Sequence, residues 1–380
     1  MKEASSHFNP FSITSYIGAE YFCDRINETK ELADALRNRR NVTLISPRRV
    51  GKTGLIHHLF HSLNSQEVHC IYVDLFSTSN LQEFTKVFAE AVLSARARIS
   101  PYPERVWQEI TQFFGSLRPV FTPDPLSGMI QCKIDLEPHR EEWTLQQIFA
   151  YLEKSSLPCY VALDEFQVIA EYKDVKMEAL LRGYIQQLSN VQFIFAGSKK
   201  HMMTEMFAST KRPFYRSSQM MNIDVIDEQQ YYEFASKHLK ENGQQIDSQT
   251  FHELYQLVDG YTWFVQALLN RLYQNRIQQI DVNVVWKTLN EILQEDTSSY
   301  QMYCRLITDR QLQVIRAVAK EGVVKEPGSN VFLQKHQLGA YSTVRGAIQA
   351  MVEKELLYQN NDGSYVVYDR FFALWLKANG

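Results

Sequence analysis

Ser46-Pro47-Arg48-Arg49-Val50-Gly51-Lys52-Thr53-Gly54 has the residue types that hold a phosphate chain. In the pattern G-x-x-x-x-G-K-[ST], backbone N–H groups cradle phosphate, the lysine reaches the β- and γ-phosphates, and the hydroxyl holds a divalent cation. Here residues 48 to 53 would supply the N–H groups, Lys52 the ammonium and Thr53 a ligand for Mg²⁺. Ser46 stands where the pattern has its first glycine, and a side chain there restricts the backbone angles available. A slightly altered turn is the expected result, because Gly51 beside the lysine is kept.

A second group of reactive residues lies downstream. Cys159-Tyr160-Val161-Ala162-Leu163 is an apolar run that ends in Asp164-Glu165. Asp164 would bind Mg²⁺ through water, and Glu165 would polarise an attacking water, with the rest of catalysis left to positioning and charge stabilisation. A strand that merely ends in two acids is the alternative, and the Gly-Lys-Thr upstream weighs against it. After the run Val191–Gly197, Ser198 is the first candidate to sense a γ-phosphate and Lys199 the second; equally, the Ser198 hydroxyl could close a strand-to-helix turn. Arg212 or Arg216 could supply the cation that stabilises transferring phosphate. Asp74, at the end of another apolar run, could orient Mg²⁺ or a water, or act as a cap.

These residues need a frame that brings strand ends together. Asn41–Ile45 reads as a buried strand, followed by a helix from Thr53 to about Leu63. Strands are expected at 69–75, 159–164, 191–197 and 222–225, and helices at 28–38, 81–96, 145–152 and 176–188. Strands alternating with helices favour a parallel sheet covered on both faces, with ligands at the carboxyl ends of the strands. Residues 98–142 interrupt the alternation with a proline cluster; a helix from Glu104 to Phe114 and a hairpin turning at Asp124–Gly128 are expected there. Residues 1–15 read as a loosely held tail. Phe22, Arg25 and Glu28 share F-x-x-R-x-x-E spacing, which fits either a plain helix start or a segment packed over a nucleotide base.

Beyond Asp227 the pattern becomes helical. Four amphipathic helices are expected, from Asp227 to Leu239, Ser248 to Val258, Asp259 to Gln274 and Val282 to Gln294. Residues 309–380 read as a winged helix: helices at 309–319, 332–337 and 342–354, a hairpin turning at Asn360–Ser364, and a final aromatic helix. From Arg305 onward bases outnumber acids only ten to seven, and Arg345 is the sole base of the candidate recognition helix before Lys354. This is a weak electrostatic footprint for DNA, so a structural or partner-binding winged helix is favoured.

The whole chain of 380 residues has a net charge of −3, which excludes a global field for nucleic acid. Five scattered cysteines without a C-x-x-C indicate neither zinc nor a disulfide framework, and suit a reduced, cytoplasmic setting. No apolar run is long enough to span a bilayer.

Arg25 and Glu28, the loop from Ser46 to Thr53, Leu163–Gln167, Ala196-Gly197-Ser198 and Pro213-Phe214-Tyr215 together resemble the archaeal-type ATPase family. That family belongs to the signal-transduction ATPases with numerous domains (STAND), relatives of the AAA+ proteins. The resemblance implies a five-stranded parallel P-loop sheet, with the 191–197 strand between the two motif strands, then a helical lid and a winged helix. Domains are expected at 1–226, 227–300 and 301–380. The implied activity is slow hydrolysis of ATP, with Mg²⁺, as a conformational switch. Catalytic roles fall to Glu165, Ser198 and Arg216, metal binding to Thr53 and Asp164, and nucleotide binding to residues 46 to 54. The family's G-x-P in the lid is Gly260-Tyr261-Thr262 here, which reads better as a helix start than as an adenine contact. Partners would be ATP and ADP, with a protein partner or a second copy of the chain. DNA binding through the winged helix is the alternative, and a nucleotide-binding module without turnover is a third possibility.

Overall fold

In the computed structural model of the chain, residues 8–99, 120–123, 130–134, 139–360 and 362–380 are described. The strands of the first half are β1 (Val42–Ile45), β2 (His69–Asp74), β3 (Val120–Pro123), β4 (Ile130–Lys133), β5 (Cys159–Asp164), β6 (Val191–Gly197) and β7 (Gln219–Asn222). Five of them form one parallel sheet in the order β2-β5-β6-β1-β7. The strand from Val191 therefore lies between the two motif strands, as the resemblance implied. β1, β5 and β6 are buried at every residue, while β2 alternates. Central parallel strands are covered on both faces and so read as unbroken apolar runs.

The helices of this α/β unit, Thr14–Val225, are α1 (Ile26–Arg37), α2 (Lys52–Ser62), α3 (Leu81–Ile99), α4 (Glu141–Glu153), α5 (Met177–Ile185) and α6 (Lys200–Ala208). α4 starts four residues before the expected Leu145, because Glu141 and Glu142 fill its first turn, where the helix dipole favours acids. The last strand also differs from expectation: β7 is Gln219–Asn222, not 222–225. It pairs with β1 residue for residue, and the Ile223 N–H closes on the Ile45 carbonyl where β1 ends. Pairing partners, not apolar content, set its limits. β3 and β4 form the expected antiparallel hairpin. The helix expected at 104–114 and the turn at 124–128 lie outside the described residues.

A second unit combines the chain up to Ile13 with Ile226–Gly380. Its helices are α7 (Glu228–Glu241), α8 (Ser248–Leu257), α9 (Thr262–Asn275), α10 (Val282–Glu295), α11 (Thr297–Arg305), α12 (Asp309–Glu321), α13 (Asn330–Lys335), α14 (Tyr341–Glu353) and α15 (Arg370–Ala378). Two-residue strands β8 (Gln245–Ile246) and β9 (Gln279–Ile280) pair between helices, and β10 (Leu357–Gln359) with β11 (Tyr365–Val367) forms the wing. Asp227, Asp247 and Asp281 cap α7, α8 and α10 through side-chain oxygens, as helix starts require. Gly260 has φ +66°, and a Cβ there would lie 2.3 Å from the Tyr255 ring, so only glycine fits this turn before α9. α9 then begins at Thr262, two residues after Gly260.

The tail expectation fails over residues 8–13. Phe11 is fully buried among the rings of Phe234, His238 and Tyr273. Asn9 donates to the Asn270 carbonyl, Asn270 donates to the Phe11 carbonyl, and the Trp263 indole donates to Ile13. Polar composition hid one apolar anchor. All five cysteines are unbridged, and no helix among the described residues is long and apolar enough to cross a membrane. Phe11→Ala should destabilise this unit by about 3–5 kcal/mol, as for other buried phenylalanines. Denaturant unfolding followed by tryptophan fluorescence checks it, and a loss below about 1 kcal/mol would contradict the anchor.

Candidate active site

The loop between β1 and α2 begins with a residue that escapes strain. Ser46 does not adopt a positive φ, so the missing glycine costs no backbone distortion there. Positive φ occurs instead at Arg49 (+69°) and Gly51 (+104°). Gly51 ends the loop, and α2 begins at Lys52. The Lys52 ammonium is buried and donates to the Ser46 carbonyl at 3.1 Å, the Ser46 hydroxyl at 3.3 Å and the Pro47 carbonyl at 3.3 Å. Burial lowers its pKa, while Glu165 and Asp164 pull it upward and Arg48 adds to the lowering.

The first acid sits at the tip of β5. Asp164 is 3% exposed. Its Oδ2 accepts the Thr53 hydroxyl at 2.7 Å and the Tyr72 phenol at 2.9 Å, and its Oδ1 accepts the Glu165 N–H at 3.0 Å. Burial, then the Asp164 carboxylate, push the Tyr72 phenol far up, so it remains a donor. Asp74 pairs in register with Asp164 on the neighbouring strand and accepts the Phe76 N–H. Burial raises Asp74, the Phe76 N–H opposes that, and the two other acids add to the rise. This i to i+2 bond closes the turn that follows β2.

The second acid is aimed by backbone geometry. Glu165 takes φ +53°, ψ +38°, a left-handed turn that ends the strand. Its Oε2 accepts the Gln167 amide at 2.5 Å and the Ser198 hydroxyl at 2.8 Å. The Arg48 guanidinium donates in turn to Ser198 at 3.3 Å and lies 5.9 Å from the ring of Phe76. Gly197 permits this crowding, because a Cβ there would lie 2.5 Å from the Gln167 amide oxygen. Lys52, Thr53, Asp164, Glu165, Ser198 and Arg48 thus meet at adjoining strand ends.

Other candidates fall elsewhere. Arg212 is tied to Glu178 at 3.0 Å, and Lys199 to Glu171 at 3.0 Å. The Arg216 guanidinium lies 5.3 Å from the ring of its neighbour Tyr215, outside the network around Glu165. Phe22 stacks on His58, with ring centroids 4.2 Å apart, beside Gly54. Tyr72 and Gln167 were not singled out from the sequence. A tyrosine inside a strand reads as core, and only the register between β2 and β5 brings it to Asp164.

A hard divalent cation fits the residues present. Thr53 and Asp164 offer oxygen donors 2.7 Å apart, the ligand type that Mg²⁺ requires. Tyr72→Phe would leave the buried Asp164 carboxylate one donor short, at an expected cost of about 1–3 kcal/mol. Urea unfolding of the chain without nucleotide checks this; an unchanged midpoint would contradict the pairing.

Comparison with known proteins agrees with the geometry. The family model of an ATPase domain predominantly from Archaea matches residues 22–268, well over half of the chain. A winged helix domain model matches residues 298–378. The fold is similar to the Walker-type ATPase PABY2304 of Pyrococcus abyssi, with 18% identity and a TM-score of 0.65, over 97% of this chain and 99% of that one. It is also similar to the ORC2 protein of Aeropyrum pernix in its ADPNP–ADP complexes, with 13% identity and a TM-score of 0.60, over 98% of each chain. No curated protein matches the chain. An ATPase domain and a C-terminal winged helix domain are common to these findings and to the structure. The chain belongs to the family of ATPase domains found predominantly in Archaea.

Proposed function

We propose that the chain is a slow, Mg²⁺-dependent ATP hydrolase that uses nucleotide state as a conformational switch of the STAND type. The observation that carries this reading is the division between the two acids. Asp164 is held against the Thr53 hydroxyl, while Glu165 is held by Ser198 and Gln167 and turned away from it. One carboxylate is thus suited to a metal and the other to a water.

In this reading the backbone of residues 46 to 54 binds the phosphate chain, and Lys52 neutralises its β- and γ-oxygens. Thr53 and Asp164 hold Mg²⁺, which when bound shields charge on the phosphates. Glu165 accepts the proton of the attacking water, and Ser198 orients Glu165 and reads the γ-phosphate. Arg216 is the better of the two arginine candidates for stabilising transferred charge, since Arg212 is committed to Glu178. Supplied in trans, it would require a second copy of the chain.

Within the C-terminal unit, one buried arginine ties the winged helix to the lid. Arg370, which opens α15 of the winged helix, pairs with Asp259 at 3.2 Å. Its guanidinium lies 4.5 Å from the Tyr261 ring, and it also donates to Val367. Phe371 packs on Phe264. The last helix is thereby fastened to the turn before α9, so lid and winged helix would move together. The unbridged thiols suit a cytoplasmic setting.

The winged helix keeps DNA gating as a second reading, but its bases are partly spent locally. Lys335 pairs with Glu321 at 2.7 Å, and Arg310 donates to the Leu338 carbonyl. We expect duplex DNA to bind weakly, with a log–log salt slope smaller than about 3; a slope near 6 or more would favour the DNA reading. For the leading reading, calorimetry should show Mg·ATP binding to the unmodified chain. Lys52→Ala should weaken binding at least about 100-fold, and Asp164→Asn should remove its Mg²⁺ dependence. Equal binding by all three proteins would overturn the site.

A further inference from the structure

Arg25 is an arginine with almost no access to water. It is 3% exposed, although it lies in the connection that leads into α1. Its Nη1 donates to the Glu28 carboxylate at 2.7 Å. Its Nη2 donates to two main-chain carbonyls, Val50 at 3.1 Å and Asp224 at 2.6 Å. The backbone bends sharply to make this possible. Asp24 and Arg25 both take positive φ, +53° and +65°. Two consecutive left-handed non-glycine residues carry a conformational cost, and they persist only where the surroundings fix them.

The Val50 carbonyl is the informative acceptor. Val50 is joined to Gly51 by a trans peptide. In a trans peptide the C=O and the following N–H point in opposite directions. A carbonyl pinned on Arg25 therefore turns the Gly51 N–H away from Arg25. Gly51, whose N–H belongs to this peptide, takes φ +104°, a conformation that glycine permits. The Asp224 carbonyl lies one residue before the α/β unit ends at Val225. One guanidinium thus joins the phosphate loop to the chain segment that leaves the unit.

We infer that Arg25 is a positioning residue of the phosphate site, holding the Val50–Gly51 peptide so that its N–H faces a bound β-phosphate and linking that peptide to the segment at Asp224. This rests on the nucleotide reading above. Arg25 touches no ligand itself; it sets the direction of a donor that does. Lysine cannot substitute, because a single ammonium lacks the fork that reaches a carboxylate and two carbonyls at once. Glu28 serves by orienting the guanidinium.

The test compares Arg25→Lys and Glu28→Gln with the unmodified chain, by hydrogen exchange without nucleotide and by ADP titration. In Arg25→Lys, amides of residues 48–53 should exchange at least about tenfold faster while β1 and β5 keep their protection. The ADP dissociation constant should rise at least about tenfold. Glu28→Gln, which retains the guanidinium, should move both quantities in the same direction by less. A general structural role would instead loosen the whole sheet. Unchanged loop exchange, or faster exchange with unchanged ADP affinity, would overturn the role of Arg25 alone. Absence of ADP binding by the unmodified chain would overturn the nucleotide reading and this role with it.

Discussion

A buried carboxylate must be satisfied by donors, and Asp164 is satisfied from three directions. One donor comes from the start of α2, one from β2, and one from the next residue of its own chain. To meet at one carboxylate, β2 and β5 must keep their register, and α2 must begin where Gly51 allows it. The fold around the site is therefore constrained by the same atoms that would hold a cation. The apolar, fully buried β5 and β6 supply the rigid base for this arrangement.

Glu165 shows how a neighbouring acid acquires a different environment. A single left-handed residue turns the chain out of the strand, so successive carboxylates point into different networks. Asp164 faces Thr53 and Tyr72, whereas Glu165 faces Ser198 and Gln167. The Arg48 guanidinium touches the Ser198 hydroxyl, so the phosphate loop and the second acid share one hydrogen-bonded chain. A change at the loop has a short physical path to Glu165.

The loop and the acid pair were legible in the sequence, because each is encoded by residues close together in the chain, whereas the place of the 191–197 strand between the two motif strands followed only from the family resemblance. The Gly-Lys-Thr after a strand and the Asp-Glu after another required no tertiary knowledge. What was not legible depends on distant partners. The role of Tyr72 depends on strand register, that of Arg25 on a carbonyl 199 residues away, and the limits of β7 on where β1 ends. Residues 8–13 looked like a tail because a single buried phenylalanine carries little periodic signal. Arg212 looked as suitable as Arg216 until Glu178 was found beside it. Ser46 was expected to alter the turn slightly, and its backbone takes no positive φ there.

The decisive measurement is phosphate release from saturating Mg·ATP by the unmodified chain and by Glu165→Gln, with ATP binding followed in parallel. The geometry of the two acids leads us to expect phosphate release by the unmodified chain. Glu165→Gln should lose at least about 100-fold in rate while binding ATP as before, because a base is removed and a phosphate contact is not. Equal rates in the two proteins would contradict the role of Glu165. No release from an unmodified chain that binds ATP would contradict hydrolysis by the chain on its own.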